Sequence, residues 1–182
     1  MKRIAGIIFF IIVAFLFFNW CLPAGSEAAA DDELKLEDFN GKWYIQYSTF
    51  PMWLKGDKKN PSFNYSVKLK DGIRGLHGDV QYVKNGELKH IEGFDQPRNG
   101  NNTAFMWRGD GLLHLVKSKW QIIEWNEEQN WAIMHFQRTL FSPEGYDLFS
   151  RQIKLDESTT ANIRKRLMYL GLSEELKPVH QE

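Results

Sequence analysis

The chain lacks several features that identify enzymes, disulfide-rich proteins and nucleic-acid-binding proteins. Only one of its 182 residues is cysteine, so no internal disulfide is available and stability must come from a packed core. It contains no Gly-x-Ser-x-Gly, no Cys-x-x-Cys, no zinc-ligand spacing and no phosphate-binding loop. Its 23 basic and 23 acidic residues balance, which argues against a nucleic-acid partner, since such proteins present a basic face. We therefore expect neither a cofactor nor a metal nor enzymatic activity.

The one long apolar run stands at the N-terminus. The positively charged start Met1–Arg3 precedes Ile4–Cys21, which has the composition of a secretory signal. We interpret residues 1–30 as a signal peptide or an N-terminal membrane anchor, because the run reaches the lower length limit of a membrane-spanning helix. Cleavage at the small residues of 24–30 and lipid attachment at Cys21 are alternatives to retention. The sequence thus predicts an exported protein, either secreted or tethered to the outer face of a membrane.

A charged segment at 31–38, which we interpret as a linker, leads into a region of β-strand pattern. Within Phe63–Lys70, apolar and polar residues alternate with the period of two that is typical of a half-buried strand. Asn85-Gly86 is a strong hairpin signal between two further short strands. The other predicted strands are 42–49, 103–107, 112–117, 120–125, 131–138 and 146–152.

The pattern changes to that of a helix near the C-terminus. Asp156 is a suitable N-cap, Ile163 and Leu167 have helical spacing, and Gly171 is a suitable stop. A single amphipathic helix must pack its apolar side on the sheet. We therefore predict an all-β fold over residues 39–182, an eight- or nine-stranded antiparallel up-and-down β-barrel with a C-terminal α-helix packed on the outside.

Two motifs at the ends of the predicted barrel are similar to those of lipocalins. Gly41-Lys-Trp43 matches the Gly-x-Trp signature of the first strand, and Ser150-Arg151 matches the end of the last strand. The chain resembles most closely the bacterial outer-membrane lipoprotein lipocalins, although Glu144–Asp147 departs from the family's Thr-Asp-Tyr motif. The resemblance implies that Arg151 lies over Trp43 at the closed end of the barrel. It also implies that the barrel binds a small hydrophobic ligand.

Strand alternation then indicates which side chains face the interior. The predicted ligand-binding residues are Tyr47, Phe63, Tyr65, Val67, Tyr82, Phe105 and Trp107. The competing interpretation is that these side chains simply fill the barrel as its core, since small barrels are often filled in this way.

The connection after the first strand is unusually apolar for a loop. Met52, Trp53 and Leu54 follow Pro51 where a surface loop would normally be polar. The lipocalin resemblance implies that this segment folds over the open end as a lid. An exposed apolar patch here is alternatively a contact for a membrane surface or a partner.

The resulting hypothesis is a carrier for a fatty acid, a lysophospholipid or a similar lipid, serving transport, storage or membrane maintenance. One alternative is a barrel enzyme of the isomerase or cyclase type, which a polar cluster deep inside the barrel would favour. His77 with Asp79, and His90 with Glu92, provide acid and base groups at strand spacing, although solvated strand residues explain them equally. Another alternative is a side-chain-filled barrel that acts through its surface.

Overall fold

A computed structural model describes residues 34–181. The predicted signal or anchor segment 1–30, including Cys21, lies outside the described residues. The strands are β1 Gly41–Ser48, β2 Lys59–Lys70, β3 Ile73–Lys84, β4 Glu87–Pro97, β5 Ala104–Gly109, β6 Lys117–Asn126, β7 Trp131–Phe136, β8 Gly145–Ser150 and β9 Lys177–Pro178. The helices are α1 Pro51–Leu54 and α2 Glu157–Tyr169, and short 3-10 helices span Leu36–Phe39 and Gly111–Leu113.

Strands β1 to β8 form a closed antiparallel barrel in sequence order. Each strand pairs with the next, and β1 pairs with both β8 and β2, which closes the sheet on itself. Strand β9 adds a two-residue pairing at Tyr47 and Ser48 of β1. Closure satisfies the backbone groups that an open sheet would leave at its edges. The predicted up-and-down barrel is confirmed.

Two tight turns have the backbone conformation that their residues favour. Asp71 and Gly72 have φ values of 53° and 76°, and Asn85 and Gly86 have 54° and 79°. Glycine, asparagine and aspartate tolerate this left-handed region better than other residues, which makes such pairs suitable for two-residue hairpins. The hairpin predicted at Asn85-Gly86 is therefore confirmed, and it joins β3 to β4.

The strand predicted over residues 112–117 is wrong. Gly111 has a φ of 55° and begins a 3-10 helix, and Leu112 and Leu115 are 100% and 79% exposed. The pairing of β5 with β6 begins only at Arg108 and Lys117. An apolar stretch becomes a strand only where a neighbouring strand can accept its backbone hydrogen bonds, and the chain turns before that point.

Helix α2 packs on the outside of the barrel, as predicted. The Asp156 carboxylate accepts a hydrogen bond from the backbone N–H of Thr159 at 2.8 Å, and Gly171 follows the helix with a φ of 72°. Ile163 and Leu167 are buried against outward-facing residues of β7 and β8. The helix therefore covers one outer face of the sheet.

Trp43 and Arg151 meet at one end of the barrel, as the lipocalin resemblance implied. The Arg151 guanidinium carbon lies 3.8 Å from the centroid of the Trp43 ring. Its Nη2 donates to the carbonyl of Asp38 at 2.7 Å and its Nη1 to that of Lys42 at 3.2 Å. Partial burial lowers the pKa of Arg151 to about 10, which leaves the side chain cationic at neutral pH. A charged guanidinium thus covers the indole face.

The segment before β1 completes this closed end. Leu36 and Phe39 are buried, and the Phe39 carbonyl accepts a hydrogen bond from the Trp43 Nε1 at 2.9 Å. The described part of the predicted linker is therefore folded against the barrel. Gly41 has a φ of 90°, and a Cβ at this position would lie 3.3 Å from Arg151 Nη1, so glycine suits both the turn and the close approach.

Candidate functional site

Side chains fill the half of the barrel nearest its closed end. Phe105 stacks on Trp120 with ring centroids 4.3 Å apart, and it meets the Phe39 ring edge-on at 5.4 Å. Val67 lies in the same half, where its N–H donates to Asn40 Oδ1 at 3.0 Å. Neither Phe105 nor Val67 lines the cavity described below. The structure therefore corrects their assignment as ligand-binding residues and places them in the core.

The other half of the barrel contains a cavity of about 190 Å³ with mainly apolar walls. Among the predicted ligand-binding residues, Phe63, Tyr65 and Trp107 line it. The cavity is also lined by Phe50, Val80, Ile91, Asp95, Ser118, Trp120, Phe136, Ser142 and Asp147, none of which was predicted to lie at the site. The barrel is therefore neither entirely filled nor entirely open.

The apolar connection after β1 covers this cavity. Pro51 is the first residue of α1, a position that suits its fixed φ and missing N–H. Met52 and Trp53 line the cavity, and Trp53 is 5% exposed. Leu54 is 38% exposed and does not line the cavity. Of the three predicted lid residues, Met52 and Trp53 thus line the cavity and Leu54 does not, and the lid itself stays a prediction.

Tyr82 supports the lid from the rim of the barrel. Its ring meets that of Trp53 at a centroid distance of 5.8 Å and an interplanar angle of 66°. The Lys58 ammonium lies 5.5 Å from the centroid of the Tyr82 ring. Tyr82 does not line the cavity, so its predicted ligand contact is corrected to a contact with the lid.

Tyr47 faces the outside of the barrel, contrary to prediction. The register between β1 and β8 shifts between Ile45 and Tyr47, which is the signature of a β-bulge. A one-residue shift moves the following side chains to the opposite face of the sheet. Ile45 therefore belongs to the inner cluster, whereas Tyr47 packs with the outer cluster around α2.

Asp95 places a carboxyl group in the cavity wall. It is 1% exposed, and its Oδ1 accepts a hydrogen bond from Trp120 Nε1 at 2.6 Å. Burial disfavours the charged form and raises the pKa of Asp95 to about 7, against the lowering effect of the Trp120 hydrogen bond. The neighbouring strand has Gly78, where a Cβ would lie 3.1 Å from Asp95 Oδ2. Glycine there allows the second carboxyl oxygen and the Tyr65 ring to pack closely against the backbone of β3.

Asp147 is a second carboxyl group in the same wall. It is 2% exposed and accepts hydrogen bonds from the side chains of Ser48 and Trp53. Its Oδ1 has no hydrogen-bond partner among the described residues. Burial raises the pKa of Asp147 to about 7, while the two hydrogen bonds oppose this effect. Trp53 of α1 is thus hydrogen-bonded directly to a buried carboxyl group.

Tyr65 adds a phenol hydroxyl to the two carboxyl groups in the wall of the mainly apolar cavity. It is 3% exposed, and burial together with the nearby Asp95 and Asp147 holds the pKa of its hydroxyl well above 10. The phenol is therefore uncharged at neutral pH and can donate one hydrogen bond. Two carboxyl groups, each with a pKa of about 7, and one phenol thus lie together among the cavity-lining side chains. A polar cluster inside the barrel is the feature that would favour the enzyme alternative.

The inward orientation of Asp95 follows from strand register, and that of Asp147 follows from alternation along β8. Asp95 is the direct partner of Trp107, and directly opposed residues of antiparallel strands project to the same face. Asp147 is two residues from Phe149, which belongs to the inner cluster. Because Trp107 was predicted to face inward, its register with β4 would have placed Asp95 inward as well.

The histidines considered for acid and base chemistry lie away from the cavity. His90 is exposed and its Nδ1 lies 3.0 Å from Asp79 Oδ1, on the neighbouring strand. His77 Nε2 lies 3.8 Å from Asp110 Oδ2. Neither histidine lines the cavity. These pairs are consistent with the alternative interpretation as solvated strand residues.

Residues 34–181 contain neither a cluster of metal-ligating side chains nor a helix suited to crossing a membrane. No cluster of three or more His, Cys, Asp or Glu side chains within this range has an arrangement able to hold a metal ion. The same range contains no helix with the length and apolar character needed to span a membrane.

Comparison with known proteins gives matches among solved structures only. Neither a family model nor a curated protein matches the chain. The cockroach major allergen Per a 4 is 18% identical, with 82% of this chain and 89% of that chain covered and a TM-score of 0.60. Insecticyanin from the tobacco hornworm Manduca sexta is 13% identical, with 83% and 82% covered and a TM-score of 0.60. The siderocalin Ex-FABP, described as functioning through dual ligand specificities, is 15% identical, with 80% and 95% covered and a TM-score of 0.58.

Identities this low show a shared fold and nothing more specific. The fold shared with these structures is the one that the terminal motifs of the barrel had indicated.

Proposed function

We propose that this protein, which has the lipocalin fold, is a carrier that binds one small, mainly apolar molecule in the cavity under α1. The observation that carries the proposal is the division of the barrel into a filled half and a half that holds a cavity of about 190 Å³. A core formed only for stability would be closely packed throughout. The dual ligand specificities attributed to the siderocalin give further support for ligand binding inside a barrel of this fold.

The walls supply the free energy of binding. Phe63, Trp107 and Phe136 present aromatic faces to the cavity. A ligand that buries about 200 Å² of apolar surface gains about 5 kcal/mol from this burial alone. The carboxyl groups of Asp95 and Asp147 in the wall then orient the ligand, since most small-molecule sites place a few polar groups in an apolar lining.

The size of the cavity narrows the ligand class expected from the sequence. An apolar cavity of about 150 Å³ accommodates benzene, whereas drug-sized ligands occupy about 300 to 1,000 Å³. The cavity here, at about 190 Å³, suits a compact molecule. A fatty acid or lysophospholipid tail requires α1 to move aside.

A binding titration with a neutral apolar probe tests the proposal. We expect ethylbenzene, a neutral molecule of one ring with a short chain, to bind with one-to-one stoichiometry in isothermal titration. Ile91→Trp places a large side chain in the cavity wall and should weaken binding about tenfold or more. Ile73→Trp is the matched control, because Ile73 is 38% exposed and does not line the cavity. Absence of binding, or equal binding by both variants, would overturn the carrier proposal.

A barrel enzyme is the second candidate, and the two buried acids favour it. Carboxyl groups with a pKa near the working pH are suited to proton transfer. The test begins with mass spectrometry of an organic extract from protein purified from its native host. Incubation of the extracted molecule with fresh protein should return it unchanged if the protein is a carrier. A new product that the Asp95→Asn variant fails to form would instead support catalysis.

We also propose that the protein is exported. The support is the positively charged start and the apolar run Ile4–Cys21. A measured intact mass that corresponds to a chain beginning within residues 25–31 would identify a cleaved signal. An acylated Cys21 would identify a lipoprotein. A full-length chain found in the cytoplasmic fraction would contradict export.

A membrane surface is the further partner that we propose. Support comes from loops at the open end, where Leu112, Leu115, Leu140 and Phe141 are 100%, 79%, 90% and 74% exposed. Large apolar residues exposed in this way are typical of interaction sites. We expect Phe141→Ser to reduce co-sedimentation with phosphatidylcholine vesicles. The control Leu69→Ser, in an exposed position of β2, should have no effect. Equal loss in both variants would contradict a specific contact through the open end.

A further inference from the structure

The cavity wall has two carboxyl groups whose hydrogen-bonding capacity is only partly used. Asp95 accepts one hydrogen bond, from Trp120 at 2.6 Å. Asp147 accepts from Ser48 and Trp53 but leaves its Oδ1 without a partner among the described residues. Both side chains are at least nine-tenths buried and both line the cavity. Both residues therefore belong to the wall of the space in which a ligand would lie, and a small movement of the Asp147 side chain would present its unpartnered oxygen to that ligand.

Nothing in the described part of the chain neutralises these acids. No lysine, arginine or histidine of residues 34–181 acts on the pKa of either carboxyl group. Buried charges in proteins are normally paired with an opposite charge or coordinate a metal. No third metal-ligating side chain joins them within residues 34–181. A cationic ligand would supply the counter-charge that the described residues do not, and it would favour the ionised form of both carboxyl groups.

The remaining walls also favour a cation bonded to an apolar group. Phe63, Tyr65 and Trp107 surround the space, and aromatic faces attract ammonium groups. An ammonium group carries three N–H donors and no acceptor, which suits a site of carboxyl oxygens. Gly78 lets the Asp95 carboxyl and the Tyr65 ring lie close together against the backbone, because a Cβ there would be 3.1 Å from Asp95 Oδ2 and 3.0 Å from Tyr65 Cε1. A deeply bound carboxylate would instead face two like charges.

We propose that the cavity selects a compact aryl- or alkylamine, bound as its ammonium ion by the carboxyl groups that Asp95 and Asp147 contribute to the wall, with its apolar group against the aromatic side chains. This inference rests on the proposed carrier function and narrows its ligand class. The cavity of about 190 Å³ holds a molecule of about one aromatic ring with a short chain.

Isothermal titration with three matched probes at neutral pH tests the inference. 2-Phenylethylamine, 2-phenylethanol and 3-phenylpropionate share one ring and differ in the charge of the end group. We expect the amine to bind about tenfold or more tightly than the alcohol, and the carboxylate to bind weakest. Asp95→Asn and Asp147→Asn should each weaken binding of the amine about tenfold or more and change binding of the alcohol about threefold or less.

The control variant is Asp71→Asn, which removes one negative charge from an exposed turn outside the cavity. It should leave all three affinities unchanged, and circular dichroism should show that every variant is folded. Equal binding of amine and alcohol, or amine binding that neither variant in the cavity weakens, would overturn the amine site. If ethylbenzene still binds in that case, the carrier function stands without the amine site. If no probe binds at all, both proposals are overturned.

Discussion

The two buried acids should make the protein less stable at alkaline than at acidic pH. We choose Asp147→Asn to test this, because it changes the charge with little change of shape. The asparagine oxygen can accept the bonds from Ser48 and Trp53, and its NH₂ group takes the place of the Oδ1 that has no partner. In Asp147→Asn the contribution of this carboxyl group to the pH dependence disappears.

The sign and size follow from the pKa values. In the folded protein the pKa of Asp147 is about 7, whereas an unfolded aspartate has a pKa near 3.8. Between these values the folded state holds a proton that the unfolded state has lost, so stability falls as pH rises through this window. The difference corresponds to about 4 kcal/mol for one carboxyl group. Asp95, with a pKa of about 7, should add a loss of similar size, and Tyr65, which faces both acids, remains neutral throughout.

Urea unfolding at a series of pH values between about 4 and 8 measures the effect. With a urea dependence of about 2 kcal/mol per M, a change of 4 kcal/mol moves the midpoint by about 2 M. We expect the wild type to lose more stability across this range than Asp147→Asn does. Asp71→Asn is the matched control, because this acid is exposed in the turn between β2 and β3. Comparing variants removes the contributions of the ionisable groups that they share.

Parallel pH dependences of the wild type and the variant would contradict the titration of Asp147. If Asp147→Asn and the wild type show parallel pH dependences between about pH 4 and 8, Asp147 does not retain its proton in the folded state. A variant that is more stable by the same amount at every pH would likewise point to removal of an uncompensated polar group rather than to titration. The expected pattern is a difference that is small at low pH and grows as the pH rises.

The closed end, the cavity wall and the outer helix each lead to a further prediction. Arg151→Ala removes a cation from the Trp43 ring and two hydrogen bonds, so urea unfolding should show a loss of about 2 to 4 kcal/mol with unchanged probe affinity; weakened binding at unchanged stability would contradict the structural role. Gly93→Ala places a Cβ 2.3 Å from Trp107 Nε1 and 2.6 Å from the Arg108 carbonyl oxygen, so the indole and the paired strand must both shift; isothermal titration should show about tenfold weaker probe binding, accompanied by a loss of stability in urea unfolding. Equal affinity would show that this wall is unimportant. Ile163→Ala should cost about 2 to 5 kcal/mol in urea unfolding without affecting binding, and a loss below about 1 kcal/mol would contradict close packing of α2 on the barrel.

Much of the fold was predictable because its signals are local. Asn85-Gly86 and Asp71-Gly72 adopt the backbone angles that these residues favour, and alternation within β2 follows directly from strand geometry. Asp156 and Gly171 bound α2 because capping depends on the residues next to the helix end. The pairing of Trp43 with Arg151 was available only through the resemblance to lipocalins, since the two residues lie at opposite ends of the barrel sequence.

The site was predicted less well because it depends on register. A bulge between Ile45 and Tyr47 moves Tyr47 to the outside, and neither glycine nor proline marks it in the sequence. Residues of the same face also have different roles along the barrel axis. Phe63 lines the cavity, whereas Val67, four residues later on β2, lies in the filled half. Alternation gives the face of a side chain but not its depth.

The strand order, the hairpins at Asp71-Gly72 and Asn85-Gly86, the outer helix and the apolar character of the interior could all be predicted, because each depends on neighbouring residues or on a period of two. The tertiary structure decided which aromatic side chains fill the barrel and which surround a cavity. It also brought Asp95 and Asp147, from β4 and β8, into one wall, where burial raises the pKa of both to about 7. Burial is a property of the closed barrel as a whole, so the chemistry of this site arises only when the eight strands have closed around it.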